Sequence, residues 1–189
     1  IYDITAIDDL DVIGETLDDA VGEAYDKVAK ILGLGYPGGP IVEKTAKNAN
    51  DRKDIKFPRA LMKDSPGIDF SFSGIKTAIM YYWRDSDKSE SERERICRSF
   101  QKAVVDVIDR KIKDAFERTG TKRFAVGGGV LCNESIREVI EARCRREGVE
   151  LYIPEKKYCT DNGAMVAFLG EIMYKQGMRS DLFLNAEIS

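Results

Sequence analysis

The order of elements legible in this 189-residue chain predicts an α/β fold with a helical insertion. Three observations carry that expectation. Short alternating or apolar runs at 1–7, 10–13, 123–126 and 150–154 read as strands. Long stretches between them carry apolar residues at helical spacing. Glycine turns join strand to helix, which in an open α/β sheet puts a ligand cleft at the strand C-terminal ends.

Taken in order, residues 1–7 mix apolar and polar side chains, Asp8 and Asp9 make a turn, and residues 10–13 form the second strand of a hairpin. The chain starts in mid-strand without an initiating Met, so it reads as a fragment of something longer. Residues 14–40 are the stretch around which the chain is organised. Thr16 is placed to cap a helix with Asp19 three residues on. Apolar residues at 17, 20, 21, 24, 25, 28, 31 and 32 share one face, while Asp19, Glu23, Asp26 and Lys30 share the other. Gly33 is the stop. Gly35, Pro37, Gly38, Gly39 and Pro40 then read as a loop with bare backbone amides. The acidic face beside that loop suits the hydroxyls of a sugar; it equally describes a solvated face beside a tight turn. A short helix is expected over 41–47, then a polar loop to 56 and an irregular stretch over 57–67.

Residues 68–73 alternate as extended chain, and Ser73 is placed to cap a helix over 74–84. Ser71, Ser73 and Lys76 at its start could hold an anion, or be an ordinary cap with an exposed lysine. Ser89 and Glu92 have capping-box spacing and open a long helix to 118. Its stripe of Ile96, Phe100, Ala103, Val104, Val107, Ile108, Ile112, Ala115 and Phe116 assigns it a packing role, and Gly120 ends it. Residues 123–126 read as a short buried-type strand running into Gly127-Gly128-Gly129, Asn133 and a helix over 134–146. Strand, triple glycine and helix is either a nucleotide turn or a tight turn with Asn133 as cap. After the strand at 150–154 a last helix starts near Asp161 or Asn162. Ala164, Ala167 and Gly170 put small residues on one side of it, so close packing is expected there. Asp161 either caps this helix or binds a hard metal or a phosphate-bound cation.

Bulk properties bound the rest. The hydrophobic fraction of 43% allows a full core, and the formal net charge is −3, so no overall basic field attracts nucleic acid. The longest apolar runs are too short to span a membrane. Cys97, Cys132, Cys144 and Cys159 lack CxxC spacing and read as reduced thiols of a cytosolic protein. With no histidine anywhere, a Ser-His or Cys-His nucleophile and a histidine metal cluster within this chain are excluded.

Several stretches together resemble one family. They are Gly14-Glu15-Thr16-Leu17-Asp18-Asp19, Gly22-Glu23-Ala24-Tyr25-Asp26-Lys27, residues 33–40, Phe70-Ser71-Phe72-Ser73-Gly74-Ile75-Lys76-Thr77, Gly127-Gly128-Gly129-Val130 with Asn133, and Cys159-Thr160-Asp161-Asn162-Gly163-Ala164. In this order and spacing they resemble the TsaD family, the tRNA adenosine threonylcarbamoyltransferases formerly labelled O-sialoglycoprotein endopeptidase or glycoprotease, in a bacterial-like variant. The resemblance implies the actin-like ATPase fold (ASKHA, ribonuclease H-like), with two lobes around a nucleotide cleft. Residues 1–189 would be the C-terminal lobe, with a helical insertion at about 41–95 and the first lobe absent.

The implied reaction moves the threonylcarbamoyl group of threonylcarbamoyl-AMP to the adenosine 3′ of the anticodon in tRNA. By the same resemblance, Asp26 and Gly39 match nucleotide-binding positions, Glu43 and Asn133 further ligand contacts, and Asp161 the carboxylate ligand of one divalent metal, iron or zinc. No residue is assigned as catalytic. The family's other metal ligands, two histidines of an HxxxH segment, have no counterpart here, so the metal and the transfer activity are expected of the full-length enzyme and not of this fragment. The implied partners are tRNA and TsaB- and TsaE-like proteins in the cytoplasm, with no membrane. The lobe's first strand, central in the actin-like sheet, is missing; re-pairing within the chain or a second copy in a homo-oligomer is expected to close the gap. Two other functions compete: a sugar or acetate kinase-like phosphotransferase lobe, and a non-catalytic interaction module.

Overall fold

The longest apolar stripe in the sequence becomes the spine of the fold. The computed structural model describes residues 1–6, 9–49, 53–60 and 67–181. In it α4 (Glu90–Thr119) buries all nine expected stripe residues, from Ile96 to Phe116. Ser89 caps its start, its hydroxyl accepting from the Glu92 amide, and Gly120 ends it in the left-handed conformation at φ 65°. Two helices, α2 (Gly38–Lys47) and α5 (Glu134–Glu147), pack broadly on this spine. The helix α1 (Val21–Leu32), on which α2 also packs, reaches it through Tyr25, which meets Phe100 and Gln101. The α4–α5 contact is pinned by Arg143, whose guanidinium forks onto the two Asp109 oxygens. The helix α3 (Ser73–Asp85) packs against α1 through Ile75 and Ile79.

Strands occupy the margin. β1 (Tyr2–Ala6) and β2 (Asp9–Val12) form the expected antiparallel hairpin, with Tyr2 opposite Val12 and a register shift between Ile4 and Ala6. β3 (Arg123–Ala125) and β4 (Glu150–Tyr152) pair in parallel around the α5 crossover. The two pairs do not join into one sheet. Their facing sides instead line a groove of about 730 Å³, with Ile1, Ile4, Phe116, Phe124, Ile136 and Ile140 on its walls. Among the described residues the expected re-pairing within the chain therefore does not occur. β3 was expected to be buried, yet only Phe124 is even half-buried, because its free side opens onto this groove.

Local chemistry departs from expectation at three helix starts. α1 begins at Val21, not near Thr16, and its N-cap Ala20 has no side-chain cap. Residues before it are held extended against 67–72: the Phe70 amide donates to Glu15 O (2.7 Å) and the Leu17 amide to Phe70 O (2.9 Å). Gly38, Gly39 and Pro40 belong to the first turn of α2, not to a loop. Proline is tolerated there because first-turn amides have no partner within the helix. α3 is capped from outside by Asp18, not by Ser73. One Asp18 oxygen accepts the Phe72 and Ser73 amides (2.8 and 3.2 Å) and the other accepts the Ser71 and Ser73 hydroxyls (2.6 Å each). The anion considered for Ser71 and Ser73 is thus the chain's own carboxylate. Lys76 pairs with Asp19, which also holds Lys27.

Other expectations resolve simply. α6 (Gly163–Lys175) starts where expected, with Asn162 accepting from the Met165 amide, but Ala164, Ala167 and Gly170 are exposed and no described element packs on them. All four cysteines are free thiols, and burial pushes the Cys97 thiol up to about 12. Lys111 is fully buried, donating to Gly67 O at 2.9 Å, and burial lowers its pKa. The turn residue Asp8, part of the polar loop (50–52), most of the irregular stretch (61–66) and the tail beyond 181 lie outside the described residues.

Asp18 makes a direct prediction. Desolvation would raise its pKa, but the Ser71 and Ser73 hydroxyls and the two amides outweigh it and hold the carboxyl at about 2, against an ordinary 3.8. Its contribution to stability is therefore full above pH 3.8 and lost as pH falls through about 2. Asp18→Ala should cost about 1 kcal/mol in urea unfolding at neutral pH. The difference from the wild type should shrink steadily as the buffer is acidified through that window.

Candidate functional site

The geometry around α1, α2 and the start of α5 gathers most of the residues singled out from the sequence. Gly33 ends α1 in the left-handed conformation (φ 69°), and the chain turns back so that α2 starts directly against the α1 backbone. A Cβ on Gly38 would lie 2.6 Å from both Asp26 Cα and Tyr25 O. Only glycine allows this approach. It lets the Gly38 amide donate to Asp26 Oδ1 at 2.7 Å. Asp26 is half-buried, and among the described residues its second oxygen makes no hydrogen bond. Gly39, one step on, differs from Gly38: a Cβ there would meet nothing within 4 Å. Gly39 faces open space beside a fixed carboxylate.

The second wall is the turn after β3. Gly127-Gly128-Gly129 leads into a 3₁₀ turn (Gly129–Cys132), with Gly128 at φ 97°, and then into α5. Val130 of this turn stands 3.7 Å from the position of a Cβ on Gly22, so the turn lies against the start of α1. Glu43 crosses from α2 to α5, its Oε1 accepting the Glu134 amide at 2.9 Å. Lys47 and Lys156 both pair with Glu134 (2.8 and 3.1 Å), and these bonds hold the Glu134 carboxyl at about 2.

Asn133 caps α5, its Oδ1 accepting the Ile136 amide at 3.1 Å, and its side chain turns inward, not toward the turn. There it meets Gln101 of α4 and Tyr25 of α1. Gln101 Nε2 donates to Asn133 Oδ1 (2.7 Å), Asn133 Nδ2 donates to Gln101 Oε1 (3.2 Å), and the Tyr25 hydroxyl donates to Gln101 Oε1 (3.1 Å). Sequence reasoning missed Gln101 and Tyr25. The available signal was a lone amide on a mostly apolar stripe, four residues after Cys97 and three before Val104.

Asp26, Gly39, Glu43 and Asn133 thus fall in one neighbourhood, where α1, α2 and α5 meet. Asp161 is exposed in the loop before α6, and no hydrogen bond or ion pair among the described residues ties it to the other four. That loop is attached to the site by the Lys156–Glu134 pair. Among the described residues no group of three or more His, Cys, Asp or Glu could hold a metal ion. A single carboxylate in a chain without histidine does not fit a complete site. No described helix is long and apolar enough to cross a membrane.

Known proteins share this chain's sequence along most of its length. The family described as TsaD, tRNA N6-adenosine threonylcarbamoyltransferase, matches residues 1–168. A protein of that name from Francisella philomiragia is 40% identical over 189 residues, covering 99% of this chain and 56% of its own length. Its counterpart from Thermosipho africanus is 44% identical over 179 residues, covering 95% and 54%. That from Clostridium beijerinckii is 45% identical over 181 residues, covering 95% and 53%. The chain therefore spans about half the length of the relatives it matches. Among solved structures, the crystal structure of T. kodakarensis HypF shares its fold with 84% of this chain over 20% of its own length, at TM-score 0.61 and 20% identity.

The two adjacent glycines separate structure from space. Gly38→Ala should destabilise the chain by about 2 kcal/mol or more, since its Cβ would meet backbone that cannot yield. Gly39→Ala should leave the denaturation midpoint within about 0.5 kcal/mol of the wild type. Equal destabilisation of the two variants would contradict the close approach of α2 to α1.

Proposed function

Because this chain belongs to the TsaD family of tRNA N6-adenosine threonylcarbamoyltransferases, we propose that it is the nucleotide-gripping lobe of such an enzyme. The whole protein would transfer the threonylcarbamoyl group from threonylcarbamoyl-AMP to the adenosine 3′ of the anticodon in tRNA. One observation carries the proposal: a half-buried carboxylate, Asp26, is fixed by the Gly38 amide beside the open position at Gly39. An ionised carboxylate only accepts hydrogen bonds, so its free oxygen suits the hydroxyls of a ribose. The absence of a side chain at Gly39 leaves room for a flat ring. The glycine turn at 127–129, with α5 behind it, supplies the opposite wall.

Each residue then has a limited task. Asp26 orients the sugar, and Gly39 admits the base. Glu43 now occupies the first amide of α5, so a ligand contact by Glu43 uses its other oxygen or displaces this bond. Asn133 acts through the position of its backbone, since its side chain is engaged inside. Asp161 would supply one carboxylate to a divalent metal, iron or zinc, in the whole protein, where such an ion would act as a Lewis acid. Its remaining ligands would come from outside the described residues.

The same reading covers the architecture. Residues 1–189 are proposed as the second lobe of an actin-like enzyme, with about 41–95 as its helical insertion, a view supported by the fold shared with HypF. The free edges of β1 and β3 face one groove, and an extended strand from the rest of the full-length protein is proposed to fill it, pairing with both. A cytoplasmic setting and TsaB- and TsaE-like partners belong to the same proposal.

Two outcomes are expected. ATP or an adenylate should raise the melting temperature of this polypeptide, and Asp26→Ala should abolish the shift. No shift in the wild type would sink the nucleotide half-site. With tRNA and threonylcarbamoyl-AMP, this polypeptide alone should give no modified adenosine in a nucleoside assay, and measurable transfer without the rest of the enzyme would refute its being one lobe. Transfer of the ATP γ-phosphate to a small sugar or acetate would favour a kinase-like lobe instead.

A further inference from the structure

We propose that Gln101 is a positioning residue for the nucleotide half-site, clasping its two walls together through Asn133 and Tyr25 while touching no ligand itself. The inference rests on the proposed nucleotide reading.

The orientation of the network follows from the backbone. The Ile136 amide donates to Asn133 Oδ1, which fixes the oxygen toward α5 and the nitrogen away from it. Gln101 can then meet that amide in one sense only, donating to the oxygen and accepting from the nitrogen, as observed at 2.7 and 3.2 Å. The remaining lone pair of Gln101 Oε1 takes the Tyr25 hydroxyl at 3.1 Å, and Asn133 Nδ2 also reaches the tyrosine oxygen at 3.5 Å. All three side chains are buried, at 2%, 6% and 7% exposure for Tyr25, Gln101 and Asn133. Water is excluded, so no solvent hydrogen bond replaces a lost one.

The placement of these groups in the chain gives the network its consequence. Tyr25 immediately precedes Asp26, the carboxylate of one wall. Asn133 closes the glycine turn of the other wall and starts α5. Gln101 comes from α4, which contributes neither wall. One side chain on the rigid spine therefore sets the spacing between the sugar-binding carboxylate and the glycine turn. Further ties between the walls, from Glu43 to the Glu134 amide and from Lys47 to the Glu134 carboxylate, lie at the exposed first residue of α5.

The test uses the 189-residue chain with ATP as the probe. Gln101→Leu removes both halves of the clasp, and Gln101→Glu keeps the acceptor but loses the donor. Ile112→Ala, further along the buried stripe of α4, serves as a control that loosens packing without touching the network. Three quantities are read: ATP dissociation constant by calorimetry, melting temperature, and amide hydrogen exchange over residues 134–136.

Both Gln101 variants are expected to weaken ATP binding by about five- to tenfold and to speed exchange over 134–136. Ile112→Ala is expected to lower the melting temperature yet keep the wild-type affinity. The Gln101→Glu defect, taken relative to the wild type at the same pH, should shrink in mildly acidic buffer as the buried acid takes up a proton and regains a donor. Should Gln101→Leu fail to fold, Gln101→Glu decides. Wild-type affinity in folded Gln101→Glu at alkaline pH, where the acid is ionised, or an equal affinity loss in Ile112→Ala, overturns the assignment and leaves the nucleotide reading standing. Absence of ATP binding by the wild type overturns both.

Discussion

Burial of one stripe of α4 is the constraint on which the rest of the molecule depends. Its nine apolar residues leave the helix no stable existence except beneath other helices; α2 and α5 supply most of the cover, and α1 adds Tyr25. That shared contact brings together segments far apart in sequence. Asp26 and Asn133 are neighbours because their helices lean on the same spine. The edge-to-face contact of Tyr25 with Phe100, at 4.8 Å between ring centres, shows how closely α1 is seated.

The two sides of α4 contrast. On the helical side the chain is closed and even Lys111 is buried with a partner, although Arg93 Nε is buried without a hydrogen bond among the described residues. On the strand side β1–β2 and β3–β4 stand apart, with apolar side chains lining the groove between them. α6 likewise shows Val166, Phe168 and Tyr174 to solvent. The chain spans about half the length of the relatives it matches, and the proposed nucleotide half-site lies on the helical side, away from these surfaces.

Local signals were readable wherever one residue type has one physical use. Gly33, Gly120 and Ser89 mark helix ends because left-handed backbone and an unpaired first-turn amide each favour few residues. The hairpin and the long helix were legible from periodicity alone. The start of α1 was not, since Thr16 has the right chemistry for a cap but is held extended by Phe70, 54 residues away. α2 was misplaced for a related reason: Gly38 looks like a loop residue until the α1 backbone it packs against is known.

The chain by itself determined its family, its α/β class, the identity of its spine and the residues worth watching, because these follow from composition, spacing and order. Tertiary structure decided which of those residues meet. Asp18 became the cap of a helix it does not belong to, Asn133 turned into the interior, and Asp161 stayed apart from the other four. The physical reason is that a hydrogen bond specifies two partners, and a sequence read from one end names only one of them at a time.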